Sequence, residues 1–187
     1  MEKLKREWVG NLDDPLVLFD EVLSPKHRTK VEGFRCSKEE EVEIFLKKDA
    51  WELQDCNMAV TRLFFNKNGE LVGYFTLFNV SLPKMNKEKI KKENWRLPNS
   101  EKFYPAIQLH FLGVDERHTK KGIGRSIILE AIDTCSGISE VCGCTFISVQ
   151  ALNSAIGFYE RFEFKPVCRE NSRYLNMVLK LHDQEED

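Results

Sequence analysis

The run "HTKKGIGRSIILEAI", residues 118–132, decides how the chain is read, because it sets two glycines one residue apart between a cluster of cations and a long apolar run of helical period. Gly122 and Gly124 lack a Cβ, so an approaching group can touch the main chain there, and Lys120, Lys121 and Arg125 make the neighbourhood positive. Ile123, Ile127, Ile128, Ala131, Ile132 and Cys135 then share one face of a helix. Just upstream, "YPAIQLHFLGVD" (104–115) is apolar enough for a central strand. A strand that runs into a glycine turn and a helix is a means of holding phosphate, since unpaired backbone N–H groups and the positive end of the helix dipole face the anion.

Outward from this turn the chain alternates strands and helices. "PLVLFDEVL" (15–23) reads as an early strand and "SPKHRTKVEGFR" (24–35) as a polar, basic loop. Ser37 and Glu40 have capping-box spacing, and Val42, Phe45, Leu46, Trp51 and Leu53 extend that helix to about Gln54. "MAVTRLFFNKNGELVGYFTLFNV" (58–80) is a hairpin turning at Asn66-Lys67-Asn68-Gly69, its second strand continuing into Pro83. Residues 83–98 hold Lys84, Lys87, Lys89, Lys91, Lys92 and Arg96 against two glutamates, and read as an exposed basic insertion. After the glycine-turn helix come a strand "CTFISVQ", a short helix "NSAIGFYERF" capped by Asn153, and a closing strand "SRYLNMVLKL". There is no internal repeat.

Composition bounds the possibilities. The 187 residues are 42% hydrophobic and 31% charged, which fits one compact domain over 1–187. A net charge of -2 excludes an all-over nucleic-acid binder and leaves room for a local basic face. No apolar run of about 18 residues occurs, and "MEKLKREWVGNLDDP" lacks the apolar core of a signal peptide, so the expectation is a cytoplasmic protein with no membrane segment. Of the six cysteines only Cys142 and Cys144 lie close together, and no histidine stands at ligand spacing. Reduced, mostly packed thiols and no metal are expected.

Three phosphate motifs compete for the turn. A P-loop fails because neither Gly113 nor Gly122 begins G-x-x-x-x-G-K-[ST], and a dinucleotide fingerprint fails because Ile127 stands where a third glycine belongs. The remaining pattern, "TKKGIG" from Thr119 to Gly124, resembles the [Q/R]-x-x-G-x-[G/A] motif of the GNAT superfamily of N-acetyltransferases, with Thr119 replacing the family's glutamine or arginine. About thirty residues on, "NSAIGFYERFEF" resembles the family's N-x-x-A-x-x-F-Y-x-x-x-G-F signature, with Glu163 in place of its last glycine. "FRCSKEEEVEIFLKKDAWELQDCNMAVTRLFF" further resembles acetyltransferases related to bacterial toxin-antitoxin toxins.

The resemblance implies an α/β (α+β) fold with a mixed, mostly antiparallel central sheet flanked by helices, and acetyl-CoA as acetyl donor. It implies that Thr119, Lys120, Lys121, Gly122, Ile123, Gly124 and Arg125 cradle the pyrophosphate and that the main chain of Leu112, Gly113 and Val114 pairs with the pantetheine arm. Tyr159 becomes the catalytic candidate, its O–H directed to the departing thiolate, while Asn153 caps its helix, contacts pantetheine, or does both. His110 reads either as a strand residue in packing or as a water-mediated base, and Asp115 and Glu116 as groups that cap or solvate the turn. The toxin-like resemblance implies an amine acceptor such as aminoacyl-tRNA, an antitoxin partner and a homodimer. A protein, peptide or small-amine acceptor and a noncatalytic coenzyme A-binding module remain the alternatives. The 84–96 segment, with Trp95, reads as an RNA-facing patch or as a solvated loop.

Overall fold

In the computed structural model, which describes residues 17–98 and 100–181, seven strands hydrogen-bond into one mostly antiparallel sheet in the order β1-β2-β3-β4-β5-β7-β6, with helices beside it. The strands are β1 (Phe19–Val22), β2 (Val60–Phe65), β3 (Leu71–Pro83), β4 (Phe103–Val114), β5 (Phe146–Leu152), β6 (Lys165–Arg169) and β7 (Tyr174–Lys180). The helices are α1 (Arg28–Glu32), α2 (Glu40–Lys47), α3 (Asp49–Asp55), α4 (Lys87–Lys92), α5 (Ile123–Cys142) and α6 (Ile156–Glu160). Residues 15 and 16 of the expected first strand and the N-terminal stretch lie outside the described residues. The chain divides into two compact units, residues 17–78 with 110–131, and 79–109 with 132–181.

In the first unit, β1 pairs antiparallel with β2, and β2 with β3. The hairpin turn closes as its residues predict: Asn66 Oδ1 accepts from the N–H groups of Asn68 and Glu70, and Gly69 takes φ +73°. Thr61 and Thr76, opposite each other and fully buried, satisfy one another through a 2.8 Å hydroxyl bond. Val31, Phe34, Leu46, Leu63 and Tyr74 form a core with no solvent contact, and the Tyr74 hydroxyl donates to Val42 O at 2.6 Å.

Three parts of this unit differ from what the sequence pattern predicts. The "loop" at 24–35 contains α1, whose Val31 and the following Phe34 are core residues, preceded by a 3-10 turn with Pro25 at its first position. Ser37 forms no capping box: its N–H and hydroxyl both donate to Glu116 Oε2, and helix α2 starts only at Glu40. The single helix expected to Gln54 is two, α2 and α3, broken at Lys48.

In the second unit, β4 runs parallel to β5 with Ala106–Leu109 opposite Phe146–Val149, and β5 and β6 flank β7 antiparallel. Strand β6, which the sequence reading omitted, is an edge strand with a register shift at Pro166, where a proline can sit without breaking a ladder. The basic insertion is only partly an exposed excursion. Asn86 caps α4 by accepting from Glu88 N–H, while Met85 and Trp95 on either side bury against Tyr104 and Phe146. The thiols are not mostly packed: Cys135 is buried and Cys36 and Cys144 are partly so, while Cys56, Cys142 and Cys168 are exposed and all six are free.

Candidate active site

Strand β4 is followed by Asp115, a fully buried carboxylate that caps the next turn. Its oxygens accept from Arg35 N–H (3.0 Å), Arg117 N–H (3.0 Å) and the Arg117 guanidinium (2.7 Å from both Nε and Nη2). Burial by itself raises a carboxyl's pKa, but the Arg117 and Arg35 bonds outweigh it and hold Asp115 below the usual value. Glu116 ties the next turn to Ser37, and those bonds lower its carboxyl too. Thr119, where the resemblance expects a longer polar side chain, closes the turn locally by donating to Glu116 O at 3.1 Å.

Beyond Thr119 the backbone is left-handed at Lys120 (φ +62°) and again at Gly122 (φ +79°), and α5 begins at Ile123. Alternating handedness turns successive N–H groups toward one side, and the first turn of α5 adds donors with no carbonyl inside the helix. A Cβ built on Gly122 meets nothing within 4 Å, so the main chain there faces open space. Lys120, Lys121 and Arg125 are exposed and, among the described residues, none is paired with a carboxylate. Twenty residues of helix anchor the turn through fully buried Ile127 and Ile128. The result is an exposed, cationic turn whose main-chain donors are open to an anion.

Leu112, Gly113 and Val114 lead into that turn, with Gly113 buried. Gly113 lacks a side chain for packing: a Cβ there would stand 2.5 Å from Val42 Cγ1 and 2.7 Å from Tyr74 Cε1. His110, earlier on β4, sits among the rings of Phe45 (5.1 Å), Phe78 (4.9 Å) and Phe111 (4.7 Å). Desolvation by these neighbours pushes its pKa below the ordinary histidine value, partly countered by Asp49.

The other site candidates belong to the second unit. After β5 a 3-10 turn, Asn153–Ala155, leads into α6, which carries Tyr159. The Tyr159 ring packs edge-on to Phe158 (5.2 Å) and Phe164 (5.5 Å) and is 8% exposed. Its hydroxyl has no hydrogen-bond partner among the described residues, and burial pushes the phenol above its ordinary pKa. Asn153 does not cap the helix: its amide nitrogen donates to Ser172 O (2.8 Å) and its oxygen accepts from Arg169 (3.0 Å). Glu163, in place of the signature glycine, is forced to φ +65° where α6 ends. Among the described residues no cluster of three or more His, Cys, Asp or Glu could hold a metal ion.

A strand, a glycine turn and a long helix, followed by a tyrosine-bearing short helix, are the elements that the sequence motifs lead one to expect of an acetyltransferase. The sequence matches the acetyltransferase (GNAT) family over residues 31–164, and the chain belongs to that family. Acetyl-CoA is its acetyl donor. No curated relative matches the chain. Among solved structures, AtaT complexed with acetyl-methionyl-tRNAfMet superposes with a TM-score of 0.70 at 24% identity, covering 85% of this chain and 93% of that one. A mutant of KacT gives 0.72 at 24% identity over 86% and 94% of the two chains, and AtaTR bound with acetyl-CoA gives 0.71 at 22% over 90% and 95%. At these identities the likeness shows a shared fold. Among the described residues no helix is long and apolar enough to cross a membrane.

Proposed function

We propose that this protein moves the acetyl group of acetyl-CoA to the α-amine of an aminoacyl-tRNA, with residues 1–187 acting as one catalytic domain. The observation that carries the enzymatic reading is the place of Tyr159 in the family's signature helix, with its hydroxyl unpaired among the described residues. The acceptor reading draws on the fold shared with AtaT in complex with acetyl-methionyl-tRNA, and it implies an antitoxin partner like the AtaR of that neighbour.

The reading assigns the diphosphate to the amides and cations of 119–125 and the pantetheine arm to the main chain of Leu112, Gly113 and Val114 and to Asn153. The amine nitrogen attacks the thioester carbonyl, the C–S bond breaks, and the proton shed by nitrogen ends on the sulfur of coenzyme A. An α-amine has a reference pKa of ~7.7–8.0, and esterification of its carboxyl lowers this, so the nucleophile is substantially neutral without a dedicated base. His110, wedged between phenylalanines, is assigned to packing. With its pKa raised, Tyr159 is a poor source of a proton for a thiolate of ordinary pKa ~8.5, so its role is to donate a hydrogen bond that stabilises the departing sulfur. Trp95 is buried against Phe146 and cannot stack on a base, which leaves the exposed, partnerless Lys87, Lys91 and Lys92 to meet an RNA backbone by charge alone.

Mass spectrometry of bulk aminoacyl-tRNA incubated with acetyl-CoA and protein tests the assignment. N-acetylated aminoacyl ends are expected, and Tyr159→Phe should lower the rate roughly 10²-fold or more while leaving the Kd for acetyl-CoA within about twofold. Full activity of that variant overturns the role of Tyr159, and acetylation confined to protein or polyamine added to the same mixture overturns the acceptor.

A further inference from the structure

The sheet of the second unit carries a pocket that the acetyl-transfer reading leaves without a task. Its position follows from register. Gln108 on β4 and Val178 on β7 stand opposite Ser148 on β5, and Asn176 stands opposite both Gln150 and Cys168. Directly paired residues share a face, so these side chains converge on one side of the sheet. Leu82 and Met85 complete the walls of a hollow of about 170 Å³, ample for a side chain.

The chemistry of the lining is selective. Apart from the Cys168 thiol, no ionisable side chain reaches it; the polar groups are amides and one hydroxyl among aliphatic and thioether surfaces. That hydroxyl, Ser148 Oγ, is buried on a residue 6% exposed and has no hydrogen-bond partner among the described residues. A buried hydroxyl left unbonded carries an unrepaid desolvation cost, which a ligand atom placed against it removes. Bringing an ionised group into the same hollow would strip its hydration with no counter-charge to replace it.

We propose that this pocket receives the acceptor's side chain and selects for one that is uncharged, apolar along its length and tipped with a hydrogen-bonding atom that meets Ser148 Oγ. This deepens the aminoacyl reading and rests on it. The amino acid methyl esters of methionine, glutamine, glutamate and lysine serve as minimal acceptors, with thiol release from acetyl-CoA as the rate. Methionine and glutamine esters should exceed the glutamate and lysine esters at least tenfold in kcat/KM. Ser148→Ala should cost the favoured esters about three- to tenfold, the worth of one hydrogen bond, and Ser148→Ile, which fills the hollow, should cost more. Both variants should keep the Kd for acetyl-CoA, which also certifies their fold.

A second readout does not depend on turnover. Met85 lines the pocket, so in protein labelled with ¹³C at the methionine methyls, N-acetylmethionine methyl ester should shift the Met85 resonance and N-acetylglutamate should not. Equal rates on all four esters, or a Met85 methyl resonance that ignores the N-acetylmethionine probe, overturn the pocket. Methyl shifts without acetylation of any ester uphold the pocket and overturn the acetyl-transfer reading instead.

Discussion

Replacing Gly122 by alanine separates what the turn does for the coenzyme from what it does for the fold. At φ +79° a residue with a Cβ carries a left-handed backbone cost of ~1–2 kcal/mol, but the new methyl meets no protein atom within 4 Å, so no packing cost is added. For a chain of this size each kcal/mol lowers Tm by ~2–4 °C, so the variant should melt roughly 2–8 °C lower and remain folded at 25 °C. On the proposed cradle, however, the methyl stands where phosphate oxygens would reach the main chain. Losing one amide bond to a charged oxygen is worth ~1.5–3 kcal/mol, which raises the Kd for acetyl-CoA roughly 10- to 150-fold. Gly69 provides the matched control: it has φ +73°, and its nearest prospective neighbour is the tip of Lys30 at 3.7 Å in a hairpin turn. Gly69→Ala should show the same thermal loss with unchanged coenzyme affinity by calorimetry. If both variants melt alike and Gly122→Ala binds acetyl-CoA within twofold of the parent, the amide cradle is wrong.

Other consequences are smaller and equally checkable. Glu163→Gly relieves a left-handed glutamate and gives back part of the gain as unfolded-chain entropy, for a net ~0.5–1 kcal/mol and a Tm about 1–4 °C higher by calorimetric scan. Asp115→Asn should destabilise by ~1–3 kcal/mol at neutral pH, read from urea midpoints. Because the folded pKa of Asp115 lies below its unfolded value of ~3.9, its stabilisation is complete above that value and is lost as pH falls through the depressed folded pKa; the variant's acid limb should be shallower there. His110 has a folded pKa depressed below ~6.5, so its contribution is present above pH ~6.5 and diminishes as pH falls from there to the folded value. His110→Phe should erase that decline and keep kcat within about threefold, whereas loss of a true general base would cost ~10²-fold or more.

The elements that carry chemistry were legible because their signals are local. A glycine pair after an apolar strand, an Asn-Gly hairpin and the isoleucine stripe of α5 each sit within one turn or one helix, and each forms where the residues place it. What escaped was set by partners far along the chain. Ser37 meets the sequence rule for a cap, yet Glu116, 79 residues away, takes both its N–H and its hydroxyl. Asn153 is similarly drawn off its helix by Arg169 and Ser172. The 83–98 segment was misjudged because composition averages over a face: six cations concealed the two residues, Met85 and Trp95, that pin it to the core.

Glycine identity shows the same limit from the opposite side. Gly113 ends the apolar strand and Gly122 lies in the family motif that follows it, but residue identity alone does not say why either is glycine. Gly113 is glycine because Val42 and Tyr74 occupy the space a Cβ needs, so its substitution should be read first as overpacking of the core. Gly122 has no such neighbour, and its missing side chain leaves main-chain donors open to solvent. Asp115 connects the two: by fixing Arg35, Arg117 and the exit of β4, it converts the packed end of a strand into a stationary mount for the turn. Coenzyme affinity in this chain should therefore respond to Asp115→Asn even though the carboxylate is fully buried and, on this reading, touches no ligand. The response should appear as a rise in Kd that parallels the loss of stability, whereas Gly122→Ala should raise Kd well beyond its thermal effect.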